Sequence, residues 1–464
     1  MGTERLWAEH MASARWFQAK GLAMGAIAIS SLPWYVEGPE LWLRSEVARV
    51  EVGTRREAYH LLVAYRPTRP GGSGAAPESQ RQPTRRDSAP PSRPGGSGSV
   101  SEGPAAASPP HPAAQDSAVI GTTVLPGLGE VEVIDVPRSP DAMRAFLRAA
   151  AGLPSLAWHD RPPDPQSETA AFLGEQSNTT VAIGDTVLLK VYRKLTNEPS
   201  PEPGILLDLA HTGIVPRLVG TWSSGGWDLG YFCERIERAT DGWTYATSSC
   251  SEGKPITDEM RALGATLASL HRAMRTAYGA WSTDGTSIGA VMRARLDQAA
   301  AALPALRPLR QRLNQALDLP PEQVPIQRLH GDFHLGQALI SPRGWTIIDF
   351  EGEPLKPAQE RIAPDSVWRD VAGLTRSLDY AAHAAPPTPT GETNSEWLRR
   401  ARAAFLDGYT DQGQVPALFS AYEIDKAIYE VEYETRNRPS WVSIPLTALR
   451  SFGASADRGA FPVG

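Results

Sequence analysis

From Thr68 to Ser117 the chain holds no Leu, Ile, Met, Phe, Tyr or Trp, and Val100 is the only sizeable aliphatic. Pro, Gly, Ser, Ala and Arg fill most of the rest, and Arg-Pro-Gly-Gly-Ser-Gly occurs twice, at 69–74 and 93–98. Such a stretch cannot bury enough apolar surface to offset the entropy of ordering it. Residues 68–117 are therefore expected to be a disordered insertion in a surface loop rather than a proline-rich docking site. Strand-like runs flank it: Ala26–Ser30, Leu41–Leu43 and Tyr59–Tyr65 before, Ala118–Val124 and Glu130–Val136 after. A helix follows through Leu147 and Ala150, with Ser139 or Asp141 as cap and Pro140 in its first turn. The insertion thus interrupts one small amino-terminal α/β domain, residues 1–150.

Two further units complete the 464 residues. Residues 151–240 read as a small sheet, with Val187–Tyr192 a strong strand, Val215–Thr221 and Leu229–Ile236 further strands, and Ile205–Thr212 helix-like. Residues 241–464 read as helical. Met260, Leu263, Leu267 and Leu270 form a stripe of 3.6-residue period within Asp258–Ala277. Val291–Leu306, Glu396–Tyr409 and Ala421–Arg436 are expected helices, and Ile326–Leu329 and Trp345–Phe350 short strands. The fold class is α/β in its α+β form. A formal charge of −6 argues against a nucleic-acid binder, and two cysteines exclude a disulfide scaffold. No run approaches the ~20 apolar residues of a membrane span, and the amino terminus reads as neither a secretory signal nor a myristoylation site. A cytoplasmic location is expected.

The residues that bear chemistry lie in His330-Gly-Asp-Phe-His-Leu-Gly-Gln337 and in Ile348-Asp-Phe-Glu351. Asp332 is followed by an amide five residues on and by a strand-end acid, Asp349, seventeen residues on. Phosphoryl transfer needs a carboxylate to orient and deprotonate the acceptor hydroxyl, and an amide or acid plus a second acid to hold Mg²⁺. A rival reading makes His330, Asp332, His334 and Asp349 ligands of a transition-metal pair. That reading leaves the upstream sheet without a purpose. There, Lys190 sits in a buried-type strand, where a charge is costly unless paired, and suits contact with ATP phosphates. The polar turn Gln176, Ser177, Asn178 and Thr179 can offer N–H groups and hydroxyls to phosphates. Glu234 and Ile236 stand where a hinge pairs with adenine through its backbone.

Phe172–Thr180, His330–Gln337, Ile348–Pro354 and Tyr429–Trp441 together resemble the actinobacterial maltokinases. The resemblance runs from Trp16 to about Leu446, sparing the insertion. It implies the bilobal fold of aminoglycoside phosphotransferases and protein kinases: a small sheet-based lobe and a helical lobe, preceded by a cap domain. It also implies ATP-dependent phosphorylation of maltose at its anomeric hydroxyl, feeding α-glucan synthesis. A monomer is expected, with a functional link to a trehalose–maltose converting enzyme. Asp332 becomes the catalytic base, Gln337 and Asp349 the Mg²⁺ ligands, and Lys190 the phosphate-binding lysine. The family's acid partner for that lysine falls near Gly204, so Glu202 or Asp208 substitutes, or the pair is absent.

For the sugar, aromatic platforms and charged forks are expected from the carboxy-terminal helix. Tyr429, Glu430, Tyr433 and Arg438 are the candidates there, although a Tyr stripe at helical spacing also serves core packing. His334, Arg369 and Tyr380 join them. Two alternatives share the nucleotide apparatus: a kinase for glucosamine, another sugar or an aminoglycoside, and a non-catalytic binding protein.

Overall fold

The computed structural model describes residues 3–14, 16–17, 24–68, 118–172, 178–353, 358–387, 393–410 and 414–452. Helix α1 (Thr3–Ser13) and strands β1 (Met24–Val36), β2 (Trp42–Val52), β3 (Arg55–Pro67), β4 (Val119–Leu125) and β5 (Gly129–Asp135) open the chain. The strands form one antiparallel sheet ordered β1-β2-β3-β5-β4. The period-2 alternation along β3 divides its side chains between two cores. Leu61, Val63 and Tyr65 face Trp7 and Met11 of α1, while Leu62 and Ala64 join the main core. Both faces are therefore covered, which accounts for the near-continuous apolar reading of β3. Helix α2 (Pro140–Ala150) follows, and Ser139 caps it by accepting from the Ala142 amide at 3.3 Å.

The second sheet contains β6 (Leu156–Trp158), β7 (Thr169–Ala171), β8 (Asn178–Ile183), β9 (Val187–Tyr192), β11 (Leu218–Ser224) and β12 (Trp227–Glu234), in the order β6-β11-β12-β9-β8-β7. Strand β9, bearing Lys190, is thus central. After it, β10 (Lys194–Leu195) leaves this sheet and pairs with β3 of the cap, joining the two units. Helix α3 (Pro201–Asp208) starts earlier than the sequence reading of Ile205–Thr212, because Pro201 suits the first helical position. That shift brings Glu202 into the helix's first turn.

The remainder is helical. It comprises β13 (Thr240–Asp241), α4 (Gly242–Glu252), α5 (Thr257–Tyr278), β14 (Ala280–Asp284), α6 (Gly285–Ala302), α7 (Arg310–Ala316), β15 (Gln323–Gln327), β16 (Ala338–Ser341) and β17 (Gly344–Ile347). Then come α8 (Ala358–Arg361), α9 (Trp368–Ala384), α10 (Asn394–Thr410), α11 (Ala417–Asn437) and α12 (Ser443–Ser451). The predicted stripe of α5 is buried throughout. Helices α5 and α10 meet backbone to backbone: a Cβ on Gly264 would stand 2.1 Å from the Phe405 carbonyl oxygen. No helix among the described residues is long and apolar enough to cross a membrane. The predicted disorder of 68–117 lies, but for Thr68, outside the described residues.

Candidate active site

Lys190 points from the middle of β9 into a cluster of three acids. Its Nζ lies 2.8 Å from Glu202 Oε2, 2.8 Å from Asp349 Oδ1 and 2.8 Å from Glu351 Oε1. Burial alone would pull the ammonium pKa down, but Asp349, Glu202 and Glu351 outweigh it and hold it well above its ordinary value. Glu202 is the partner acid. Asp208 instead accepts from the Tyr278 hydroxyl at 2.7 Å, away from the lysine. The other oxygen of Glu202 accepts from the Asp349 amide at 2.9 Å and the Phe350 amide at 3.4 Å. One carboxylate from α3 therefore fixes both the lysine of the small lobe and the Asp349 backbone. That backbone has φ +67°, a left-handed conformation disfavoured for a residue with a Cβ. The Glu202 contact helps to hold it there.

Gln337 stands beside Asp349, its side-chain amide 2.9 Å from Asp349 Oδ2. The side-chain oxygens of Glu202, Asp349 and Glu351 also lie within 4.8 Å of one another. An amide oxygen with several carboxylate oxygens is a hard donor set of the kind Mg²⁺ takes, and the residues fit that ion. Burial pushes the Glu351 carboxyl up and Lys190 only partly offsets it, whereas Lys190 carries Asp349 below its ordinary value despite burial.

The loop that carries Asp332 is hung from α9. Asp370, fully buried, accepts from the His330 amide, the Gly331 amide and His271 Nε2, each at 3.0 Å. His271 reaches on to the Tyr409 hydroxyl at 2.9 Å, so α5, α9 and α10 all brace the loop. Asp332, two residues beyond His330, is half-buried and faces Lys426 of α11, with Nζ 3.4 Å from Oδ1. Burial raises the Asp332 carboxyl, but Lys426, then His334 and His330, more than offset it and leave it below the usual value. His334 accepts the Gly336 amide through Nδ1 at 3.1 Å, and burial lowers its pKa.

Beyond Asp332, α9 and α11 bring together paired charges and stacked rings. Arg369 pairs with Glu353 at 3.0 Å. Glu430 receives two nitrogens of Arg376, at 2.7 and 3.0 Å. Glu434 accepts from the Tyr380 hydroxyl at 3.1 Å and from Arg438 at 2.5 Å. Tyr380 stacks on Trp441 with centroids 6.0 Å apart, Tyr429 on Tyr433 at 6.3 Å, and Arg438 lies over Tyr433 and Trp441. Glu434 Oε2 and the Nε and Nη1 of Arg438 are buried and hydrogen-bond to nothing among the described residues. Such groups are expensive to leave unsatisfied and suit a hydroxyl-rich ligand.

The sequence candidates fare unevenly. Gln176 and Ser177 lie outside the described residues. Asn178 donates to Glu351 Oε1 at 3.0 Å, in the cluster around Lys190. Thr179 instead faces inward, its hydroxyl accepting from Arg193 Nε at 2.8 Å. At the hinge the Glu234 amide is spent on the Arg217 carbonyl, and its side chain pairs with Arg343. Ile236 is the hinge candidate whose backbone has no partner among the described residues. Glu351, Glu353, Arg376 and Lys426 escaped sequence reasoning. Glu351 had a signal, an acid two residues past Asp349 on a turn. Lys426 had none beyond its place one turn before Glu430.

Part of the chain is similar to a known family. Residues 168–352 match the phosphotransferase enzyme family, APH. The matched stretch contains Lys190, Glu202, Asp332, Gln337, Asp349 and Glu351, but neither the cap nor α9 to α12. A glucosamine kinase of Mycolicibacterium smegmatis (strain ATCC 700084 / mc(2)155) is 27% identical over 323 residues, covering 59% of this chain and 77% of that one. A glucosamine kinase of Streptacidiphilus jiangxiensis is 27% identical over 388 residues, covering 69% and 89%. Among solved structures, a glucosamine kinase in complex with glucosamine, ADP and inorganic phosphate superposes with a TM-score of 0.61 at 20% identity, covering 97% and 99%. The fold, cap included, is thus the mixed α/β kinase-like fold.

Proposed function

We propose that this protein is an ATP-dependent sugar kinase whose acceptor is maltose, phosphorylated at the anomeric hydroxyl to supply α-glucan synthesis. The observation that carries the kinase reading is the cluster of Lys190, Glu202, Asp349 and Gln337 set beside an Asp332 loop braced by Asp370. Asp349 and Gln337 would hold Mg²⁺, with Glu351 beside them; the bound ion supplies charge neutralisation on the phosphates. Lys190 binds phosphate oxygens, Asn178 helps close the phosphate turn, and Ile236 offers backbone groups to adenine. Asp332, ionised across the neutral range, orients the acceptor hydroxyl and takes its proton as the phosphorus–oxygen bond forms. Positioning and fixed charge provide most of the acceleration.

The charge pattern of the acceptor side favours a neutral sugar. Each carboxylate there has a basic partner: Asp332 with Lys426, Glu353 with Arg369, Glu430 with Arg376 and Glu434 with Arg438. An ammonium-bearing acceptor needs a carboxylate with charge to spare. The second reading, a glucosamine kinase, is favoured by the names of the relatives. ADP release with Mg²⁺-ATP across maltose, glucose, glucosamine and an aminoglycoside decides between them. Turnover on maltose giving an acid-labile phosphate supports the first reading, turnover confined to glucosamine moves the substrate to the second, and ATP binding without turnover on any acceptor refutes both.

A further inference from the structure

The polar residues of α11 that recur every fourth position each reach a partner across the helical lobe. Tyr422 bonds Asp365, Lys426 bonds Asp332, Glu430 bonds Arg376 and Glu434 bonds Tyr380. Three of these contacts end on or beside α9. Only Lys426 ends on the loop that carries the base.

Its surroundings are those of a functional cation. The ammonium is half-buried, lies 5.2 Å above the Tyr429 ring, and is stabilised by the charges of Glu353 and Glu430 after that of Asp332. The other charges facing Asp332 are His330 and His334 of its own loop and Arg369 of α9. No described residue other than Lys426 donates a side-chain hydrogen bond to the Asp332 carboxylate. A carboxylate gripped on one oxygen by a fixed cation presents its second oxygen in a defined direction, which is what an acceptor hydroxyl needs. A lysine held this way, on a stem packed against an aromatic ring, also loses less freedom when the transferred charge builds up.

We propose that Lys426 is a positioning residue for phosphoryl transfer: it holds Oδ1 of Asp332 so that Oδ2 is turned to the acceptor hydroxyl, and its charge balances that of the Asp332 carboxylate. The inference rests on the kinase reading above. It takes the ion pair as part of the machinery of turnover rather than as a link that merely fastens α11 to the loop.

The test compares the parent chain with Lys426→Met and Lys426→Arg. For each, kcat and KM are measured on the acceptor the parent uses best, together with calorimetric affinities for ATP and for that acceptor and a thermal melt. Lys426→Met is expected to lose kcat by about 10–100-fold, with ATP affinity and melting temperature close to the parent's. Lys426→Arg, which keeps the charge, is expected to recover part of the loss. The acid limb of the Lys426→Met kcat/KM profile should also move to higher pH, since the cation holding Asp332 ionised is gone. A merely structural link would lower the melting temperature and leave that limb in place. Unchanged kcat in Lys426→Met, or loss of stability with an unmoved acid limb, overturns the inference while the kinase reading stands. A parent chain inactive on every acceptor overturns both.

Discussion

Asp370 offers the sharpest stability and activity test, because three buried donors converge on it. Oδ2 accepts from His271 Nε2 and from the His330 amide, and Oδ1 accepts from the Gly331 amide, all at 3.0 Å. In Asp370→Asn the side chain keeps its volume but has one acceptor oxygen, so at least one donor then faces an NH₂ group. A buried donor left unsatisfied costs ~1–3 kcal/mol. The two surviving bonds lose their charge assistance, roughly half their strength, or ~1 kcal/mol each. The expected loss is therefore about 4 kcal/mol, read by urea titration at neutral pH. The carboxyl pKa is pushed up by burial but pulled further down by His271, His330 and the Gly331 amide, and so lies below its ordinary 3.8. Its stabilising contribution is present above 3.8 and fades as pH falls through the folded-state pKa, so the gap between parent and variant should narrow only in strong acid. Because the same amides set the Asp332 loop, kcat should fall by about 10²-fold. A variant within ~1 kcal/mol of the parent, turning over at the parental rate, would refute the claim that Asp370 suspends the loop.

The remaining expectations concern other parts of the molecule. Glu202→Gln leaves Lys190 with two of its three acids and weakens the hold on Asp349, and should raise the KM for ATP about tenfold in steady-state assays. Burial lowers the His60 pKa from 6.5 to about 3, so the folded state stays neutral while the unfolded chain protonates. Stability should therefore fall as pH drops below 6.5, by roughly 1 kcal/mol per unit, and His60→Gln should flatten that slope in pH-dependent melts. Strands β3 and β4 run parallel on either side of β5, with Pro67 opposite Val131 and Val119 opposite Ile134. Their ends are thus about 14 Å apart by strand spacing and rise. Replacing 69–117 with about twelve Gly/Ser residues should preserve the melting temperature, while joining Pro67 directly to Val119, a single step of about 3.8 Å, should unfold the cap.

Much of this architecture was legible in the sequence, and the reasons differ by element. The Met260–Leu270 stripe announced α5 because its burial is one-sided, and Ser139 with Pro140 announced α2 because capping is local chemistry. Helix α9 went unpredicted: it is apolar nearly all round, so its periodicity is blurred, and its key residue is a polar one, Asp370, that only tertiary partners explain. Asp332, Gln337, Asp349 and Lys190 were visible through spacing within one loop, one turn and one strand. Glu351 and Lys426 were not, because their roles come from contacts distant in sequence, Glu351 with Lys190 and Lys426 with Asp332, 94 residues away. Thr179 shows the converse. Its residue type suits phosphate, but the alternation of β8 turns it inward to Arg193.

The central claim is that Asp332 directs an acceptor hydroxyl onto the phosphoryl group of ATP. Asp332→Asn tests it most directly, since the side chain keeps its shape and its neighbours but can no longer accept the proton. ADP release on maltose and calorimetric ATP affinity are measured side by side for parent and variant. Turnover reduced to near background with ATP affinity unchanged is the predicted result. Turnover retained at the parental rate would contradict the account.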